Sequence, residues 1–328
     1  MNSSIFSSKD DRAKVQLGLL LGLFILMLIG VLVAFLNIPL SPRSQGNFLL
    51  GAIDNKHRLR NSKDGQRRIL LVGGSSLGFS VSAKELSARL GTRTLNLGVH
   101  AGIGYRNIWR MYRKATNPQK DLIVLSPEYG ILLKDRRVTK EFCDVIFLGK
   151  SKEELFDNIV CLPYIFNKTI NDIIDTYRPY YKKKTTVYSR SAFNNYGDIT
   201  SHLDLENTDF NLSTASNFRN LTSNNIVSYI DFVQKEIINE GYQVAVIPTV
   251  IPNTSCGKNA EGILTGIYKQ LASLNTIKPN SKKVRAPVYC LSDHMFFDTA
   301  YHLNKRGRKI KTDIFAKYLQ LVLDELDH

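Results

Sequence analysis

One stretch, Arg67-Arg68-Ile69-Leu70-Leu71-Val72-Gly73-Gly74-Ser75-Ser76-Leu77-Gly78-Phe79, constrains the fold of this chain more than any other. An apolar run bounded by glycines reads as a strand buried in a parallel sheet, with helices covering that sheet. The glycines permit a sharp turn after the strand. Such a turn lifts a serine to the carboxyl end of the sheet, where open α/β folds place their sites. Far downstream, just ahead of a helical C-terminus, comes Phe296-Phe297-Asp298-Thr299-Ala300-Tyr301-His302-Leu303-Asn304-Lys305-Arg306-Gly307. A serine early with an aspartate and a histidine late is the order of a nucleophile awaiting its base. The plainer alternative is a tight strand-to-helix turn without chemistry.

The rest of the chain supplies the partners that such a strand needs. Residues 82–90 are amphipathic, with Leu86 and Leu90 on one face. Residues 94–97 read as a short strand, 105–114 as a helix and 122–125 as a second buried strand. The clearest helix is 225–240, where Ile226, Ile230, Val233 and Ile237 recur at spacings of four, three and four. It feeds a strand at 243–247 that ends in Pro248, and helices at 261–274 and 305–326 complete the set. Strands alternating with helices predict an α/β fold with a doubly wound, mainly parallel sheet. Residues 150–220 fit this rhythm worst and read as an insertion. There, Tyr177, Tyr180 and Tyr181 interleave with Arg178, Lys182, Lys183 and Lys184, with Tyr188 and Arg190 close behind. That pattern suits stacking on sugar rings, docking on lipid headgroups, or a solvated basic loop.

The serine turn and the late Asp-His segment together resemble the SGNH, or GDSL-type, hydrolases and acyltransferases. Gly73-Gly74-Ser75 stands where that family has Gly-Asp-Ser after a strand. His302-Leu303-Asn304-Lys305-Arg306-Gly307 matches the tail of its last block. Leu95-Asn96-Leu97-Gly98-Val99-His100-Ala101-Gly102 looks like its second block, whose glycine amide contributes to the oxyanion hole. The likeness runs from Ile69 to Leu321 and is nearest to membrane-anchored members that serve bacterial envelope polysaccharides. The chain departs from the pattern at two places. Three residues, not two, separate Asp298 from His302, and Asp293 is a rival partner. After the strand at 122–125 the chain reads Ser126-Pro127-Glu128-Tyr129-Gly130, without the family's oxyanion asparagine.

The resemblance implies Ser75 as nucleophile, with Ser76 fitting nearly as well, His302 as base and Asp298 as its orienting partner. A serine hydroxyl is a poor nucleophile until a base takes its proton, and histidine titrates near neutral pH. A carboxylate on the other ring nitrogen fixes the tautomer and stabilises the imidazolium. Gly98 or Gly102 and the amide after Ser75 would bind the oxyanion, with the Asn96 side chain as a substitute. His100 reads as a packing or hydrogen-bonding histidine. No cofactor and no metal is expected.

Near the N-terminus, the uncharged apolar run 17–36 has the length of a transmembrane helix, about 20 residues. Nothing at its end resembles a signal-peptidase site. Lys9, Arg12 and Lys14 precede it, against Asp10 and Asp11, so the positive-inside rule favours a cytoplasmic N-terminus. The expected organisation is a tail at 1–16, the span at 17–36, a polar linker at 37–68 and an SGNH-like domain at 69–328. All four cysteines, Cys143, Cys161, Cys256 and Cys290, follow the span. An even number permits two disulfides, for which local pairing, Cys143–Cys161 and Cys256–Cys290, is the expectation.

The formal net charge of +15 would attract anionic headgroups, acidic glycans or nucleic acid. No nucleic-acid-binding motif is visible, so a nucleic-acid partner is not expected. The expected protein is a single-pass protein of a bacterial inner membrane with a periplasmic domain. Its substrate would be an acylated glycan or polysaccharide, from which it removes, or to which it transfers, an O-acyl group. The resemblance also implies a multi-span membrane acyltransferase as partner. Two alternatives remain open: an inactive SGNH-like glycan-binding or assembly subunit of a polysaccharide secretion complex, and a lipid or ester hydrolase.

Overall fold

The computed structural model describes residues 9–37, 66–132, 139–149, 159–161, 187–206, 219–220, 222–256, 259–277 and 288–327, with 51, 54–55, 58–59, 163–164 and 167 between them. Most of the expected linker and the basic tyrosine-rich run 177–184 lie outside the described residues. Helix α1 spans Lys9–Asn37, and its described apolar side chains between Val15 and Met27, and Ile29, stand exposed to solvent. Among the described residues no helix is long and apolar enough to cross a membrane.

The domain is an α/β fold around four parallel strands. These are β1 (Arg68–Val72), β2 (Arg93–Asn96), β3 (Asp121–Leu125) and β4 (Gln243–Val246), in the order β2-β1-β3-β4. Every residue of β1 and β3 is buried, as the unbroken apolar runs require. Alternate side chains point to opposite faces. Leu70, Val72, Ile123, Leu125 and Val244 meet Ile108, Trp109 and Tyr112 of α4 (Tyr105–Arg113), Phe232 of α6 (Ser223–Val233) and Leu264 of α7 (Ala260–Leu271). Ile69, Leu71, Val124 and Ala245 meet Leu77 of α2 (Ser75–Ser80), Leu86 of α3 (Ala83–Leu90), and Phe315 and Leu319 of α8 (Lys305–Leu326). Helices thus cover both faces. The remaining long helix, α5, is Lys140–Gly149.

Local chemistry sets several boundaries. Ser82 caps α3, its hydroxyl accepting from Glu85 N at 3.2 Å. Thr222 and Asn225 form a reciprocal capping box on α6. The helix expected over 225–240 is α-helical only to Val233 and closes in a π-turn, Gln234–Ile238, that keeps Ile237 buried. A short parallel pair, β5 (Ile251–Pro252) with β6 (Cys290–Leu291), lies beside the main sheet.

Both expected disulfides are present. Cys143 of α5 bonds to Cys161, and Cys256 bonds to Cys290 of β6, with Cα separations of 5.3 and 6.4 Å. The bridges close loops of 18 and 34 residues, worth about 3 and 4 kcal/mol of unfolded-state entropy.

Candidate functional site

The strand order reverses between β1 and β3, since the chain leaves β1 toward β2 and returns to the other side for β3. Crevices at such switch points, beyond the carboxyl ends of the strands, are where α/β sheets place ligands. Ser75 and Glu128 each lie three residues beyond the end of their strands, β1 and β3. The turn between Val72 and α2 needs no left-handed residue, for Gly74 has φ −79° and ψ −169°. Glycine serves there by leaving room for the Glu128 carboxylate rather than by backbone freedom. A Cβ on Gly74 would fall 2.4 Å from Glu128 Oε1.

The two serines differ in access. Ser75 is half-buried at the start of α2, and its hydroxyl donates to Glu128 Oε1 at 3.3 Å. Ser76 is fully buried, and its hydroxyl has no partner among the described residues. The Ser76 backbone N–H donates to the same Glu128 oxygen at 2.7 Å. A substrate can approach Ser75 but not Ser76.

His302 lies at the end of a loop pinched by an antiparallel bridge between Phe296 and Leu303. Within it Phe297 N donates to the His302 carbonyl at 2.8 Å, which returns the chain so that Asp298 faces His302 despite the extra residue. His302 Nδ1 and Asp298 Oδ1 are 2.7 Å apart. Asp293 is directed elsewhere, accepting from Thr254 N at 3.0 Å and from the Thr254 hydroxyl. The Tyr188 hydroxyl donates to Asp298 Oδ2 at 2.6 Å. Burial resists ionisation of Asp298, but the hydrogen bond and charge of His302, with Tyr188, outweigh it and hold the carboxyl below its usual range. A carboxylate only accepts, so Nδ1 carries the proton and Nε2 is left as the basic nitrogen.

The imidazole plane is fixed by Phe79, stacked at 3.9 Å between centroids and 9° between planes. Phe79 and Ser75 are one helical turn apart on α2, roughly 6 Å along its axis. Ser80 secures the arrangement. Its hydroxyl donates to the Tyr301 carbonyl at 2.9 Å and accepts from Leu303 N at 3.0 Å. Among the described residues no hydrogen bond joins either serine to His302, and in ligand-free sites such bonds are commonly long.

The remaining motif residues are accounted for structurally. Asn96 Nδ2 donates to the carbonyls of Leu77 and Val81 at 2.9 and 3.1 Å, and Asn96 Oδ1 accepts from Gly98 N at 3.0 Å. Gly102 N donates to His100 Nδ1 at 3.0 Å. The amides of Gly98 and Gly102 and the Asn96 side chain therefore all have protein partners. Asn304 caps α8, accepting from Arg306 N and Gly307 N, each at 3.1 Å.

Three residues near the site come from the described part of the expected insertion, 187–206. Tyr188 reaches Asp298. The carboxylate of Asp198 accepts from the backbone of Ala83 and Lys84, at 2.7 and 3.2 Å, and from Asn96 Nδ2 at 3.2 Å. Burial, then the charge of Arg308, lowers the His202 pKa to about 4, so this histidine stays neutral against Phe79. Tyr188 stands just behind the aromatic and cationic run of the sequence, whereas no periodicity or motif points to Asp198 or His202. Glu128 had a signal, since it follows the buried strand 122–125, where the SGNH pattern would have its oxyanion asparagine.

Beneath the serine turn, Lys311 of α8 is 1 % exposed, with Nζ 3.4 Å from the Ser76 carbonyl. Burial, partly offset by the charge of Glu128, lowers its pKa from 10.5 to about 7. The unfolded chain binds more protons across that range, so stability should rise with pH from about 7 to 10.5. Lys311→Met is expected to stabilise the fold most at the acid end of this range and to flatten the rise. Thermal midpoints at both ends measure it, and an unchanged slope would mean that Lys311 reaches water.

The chain matches no protein-family model, no curated protein and no solved structure. Among the described residues no cluster of His, Cys, Asp or Glu could hold a metal ion.

Proposed function

We propose that this chain is a membrane-anchored, extracytoplasmic serine acyl-transfer protein. It transfers or removes an O-acyl group, acetyl foremost, on an envelope or secreted polysaccharide. The observation that carries this reading is the Asp298–His302 pair at 2.7 Å, set on a loop that Ser80 ties to the helix bearing Ser75. In the proposed step His302 Nε2 takes the Ser75 proton as Oγ attacks the ester carbonyl. The leaving hydroxyl then takes that proton, and a glycan hydroxyl or water resolves the acyl-serine. The test is acetate release from an O-acetylated polysaccharide by the full-length protein. Turnover unchanged in Ser75→Ala would sink the reading.

Two disulfides belong to an oxidising compartment. With the exposed apolar side chains of α1, they support a domain held outside a bacterial inner membrane; a multi-span acyltransferase beside it is implied by the resemblance alone. Protein taken from the cell envelope is expected to carry both bridges in non-reducing mass spectrometry. Four free thiols would overturn that location. A second reading, a glycan-binding SGNH-like subunit without catalysis, is favoured by one observation, the Glu128 carboxylate seated on the Ser76 amide.

A further inference from the structure

An ester attacked by Ser75 becomes tetrahedral, and its oxyanion needs N–H donors aimed at the place where the charge develops. The donor that a strand–turn–helix serine has ready is the amide of the next residue. Here that amide is occupied. Glu128 Oε1 accepts from Ser76 N at 2.7 Å and from Ser75 Oγ at 3.3 Å. Glu128 is 5 % exposed and packs over Gly74. One oxygen that takes both the amide and the serine hydroxyl stands where the substrate's carbonyl oxygen would have to sit.

We propose that Glu128 is the specificity-determining residue of this site. Its carboxylate fills the oxyanion position and closes Ser75 to small activated esters, so that only an acyl donor whose binding draws Glu128 off the Ser76 amide is used. The inference rests on the acyl-transfer reading. A buried carboxylate that leaves its donors needs new ones. Two groups lie within its electrostatic field: Lys311 below, and the buried hydroxyl of Tyr301, which faces the Tyr129 and Gly130 backbone and can donate its proton. Water cannot expel the carboxylate, since it brings no binding energy from contacts elsewhere, whereas a glycan-sized donor does. The arrangement favours transfer over wasteful hydrolysis.

The test uses a fluorophosphonate on the full-length protein, with the rate of Ser75 modification followed by peptide mass spectrometry. Ser75 Oγ bonds to phosphorus as the phosphorus–fluorine bond breaks, fluoride leaves, and His302 takes the hydroxyl proton. Glu128→Ala should label at least about tenfold faster than wild type, up to the roughly 100-fold worth of one oxyanion donor. Glu128→Gln, which keeps the shape but removes the charge, should also label faster and decides the matter if the alanine variant misfolds. Ser75→Ala should show no label at this position. Equal or slower labelling of both Glu128 variants, with wild-type Ser75 labelled, overturns the inference and leaves the acyl-transfer reading standing. No label on Ser75 in any variant overturns both.

Discussion

Ser75→Ala is expected to reduce ester turnover by on the order of 10⁶-fold, to the level left by binding alone, because under the proposed acyl transfer removing the serine disables the whole Ser-His-Asp unit. Asp298→Asn should cost roughly 10⁴-fold although it barely changes the shape of the site. The reason is the tautomer. Asp298 accepts from both His302 Nδ1 and the Tyr188 hydroxyl, at 2.7 and 2.6 Å, which forces the imidazole proton onto Nδ1. An asparagine amide can donate to Nδ1 instead, which moves the proton to Nε2 and removes the base. The series is read as kcat on an O-acetylated polysaccharide, with thermal melts showing that each variant is folded. A twofold loss in Asp298→Asn would mean that the pair is only structural.

The second large effect concerns stability and lies at the opposite edge of the sheet. Arg68 and Asp121 are register partners at the start of β1 and β3. Their side chains form a two-pronged pair, Nε to Oδ1 at 2.7 Å and a terminal nitrogen to Oδ2 at 2.6 Å. These side chains are 8 % and 0 % exposed. The same guanidinium donates to the Leu59 carbonyl at 3.0 Å, and Asp121 Oδ2 also accepts from Asn117 N at 2.6 Å. Asp121→Ala strands a buried cation and is expected to destabilise by about 3–5 kcal/mol in urea unfolding. Replacing both partners with apolar residues should recover most of that loss. A cost under about 1 kcal/mol, the value of a surface pair, would show that water reaches the guanidinium.

The parts of this molecule legible from sequence are those whose signal is local. β1 and β3 announce themselves as short apolar runs because both faces are covered, and α8 because its apolar residues recur along an uninterrupted segment. Asp298 and His302 are separated by four positions, so a motif could place them together, although only the folded loop distinguishes Asp298 from Asp293. Glu128 is another matter. It lies 53 positions from Ser75, and its role exists only because β1 and β3 are neighbours in register. Tyr188, Asp198 and His202 fall in a stretch without strand or helix periodicity, where only tertiary contacts reveal what each side chain meets. The glycine turn shows the limit of residue-type reasoning from the other side. Gly74 leaves room beside a carboxylate, which no backbone preference encodes.

The Ser80 hydroxyl touches only main-chain atoms of the loop that bears His302, the carbonyl of Tyr301 and the amide of Leu303. It therefore works as a spacer gauge whose setting is blind to which side chains occupy those positions. Under the proposed acyl transfer, amino-acid changes along the loop would alter selectivity while the register of Ser75 and His302 stays constant, and the two properties would be free to evolve independently.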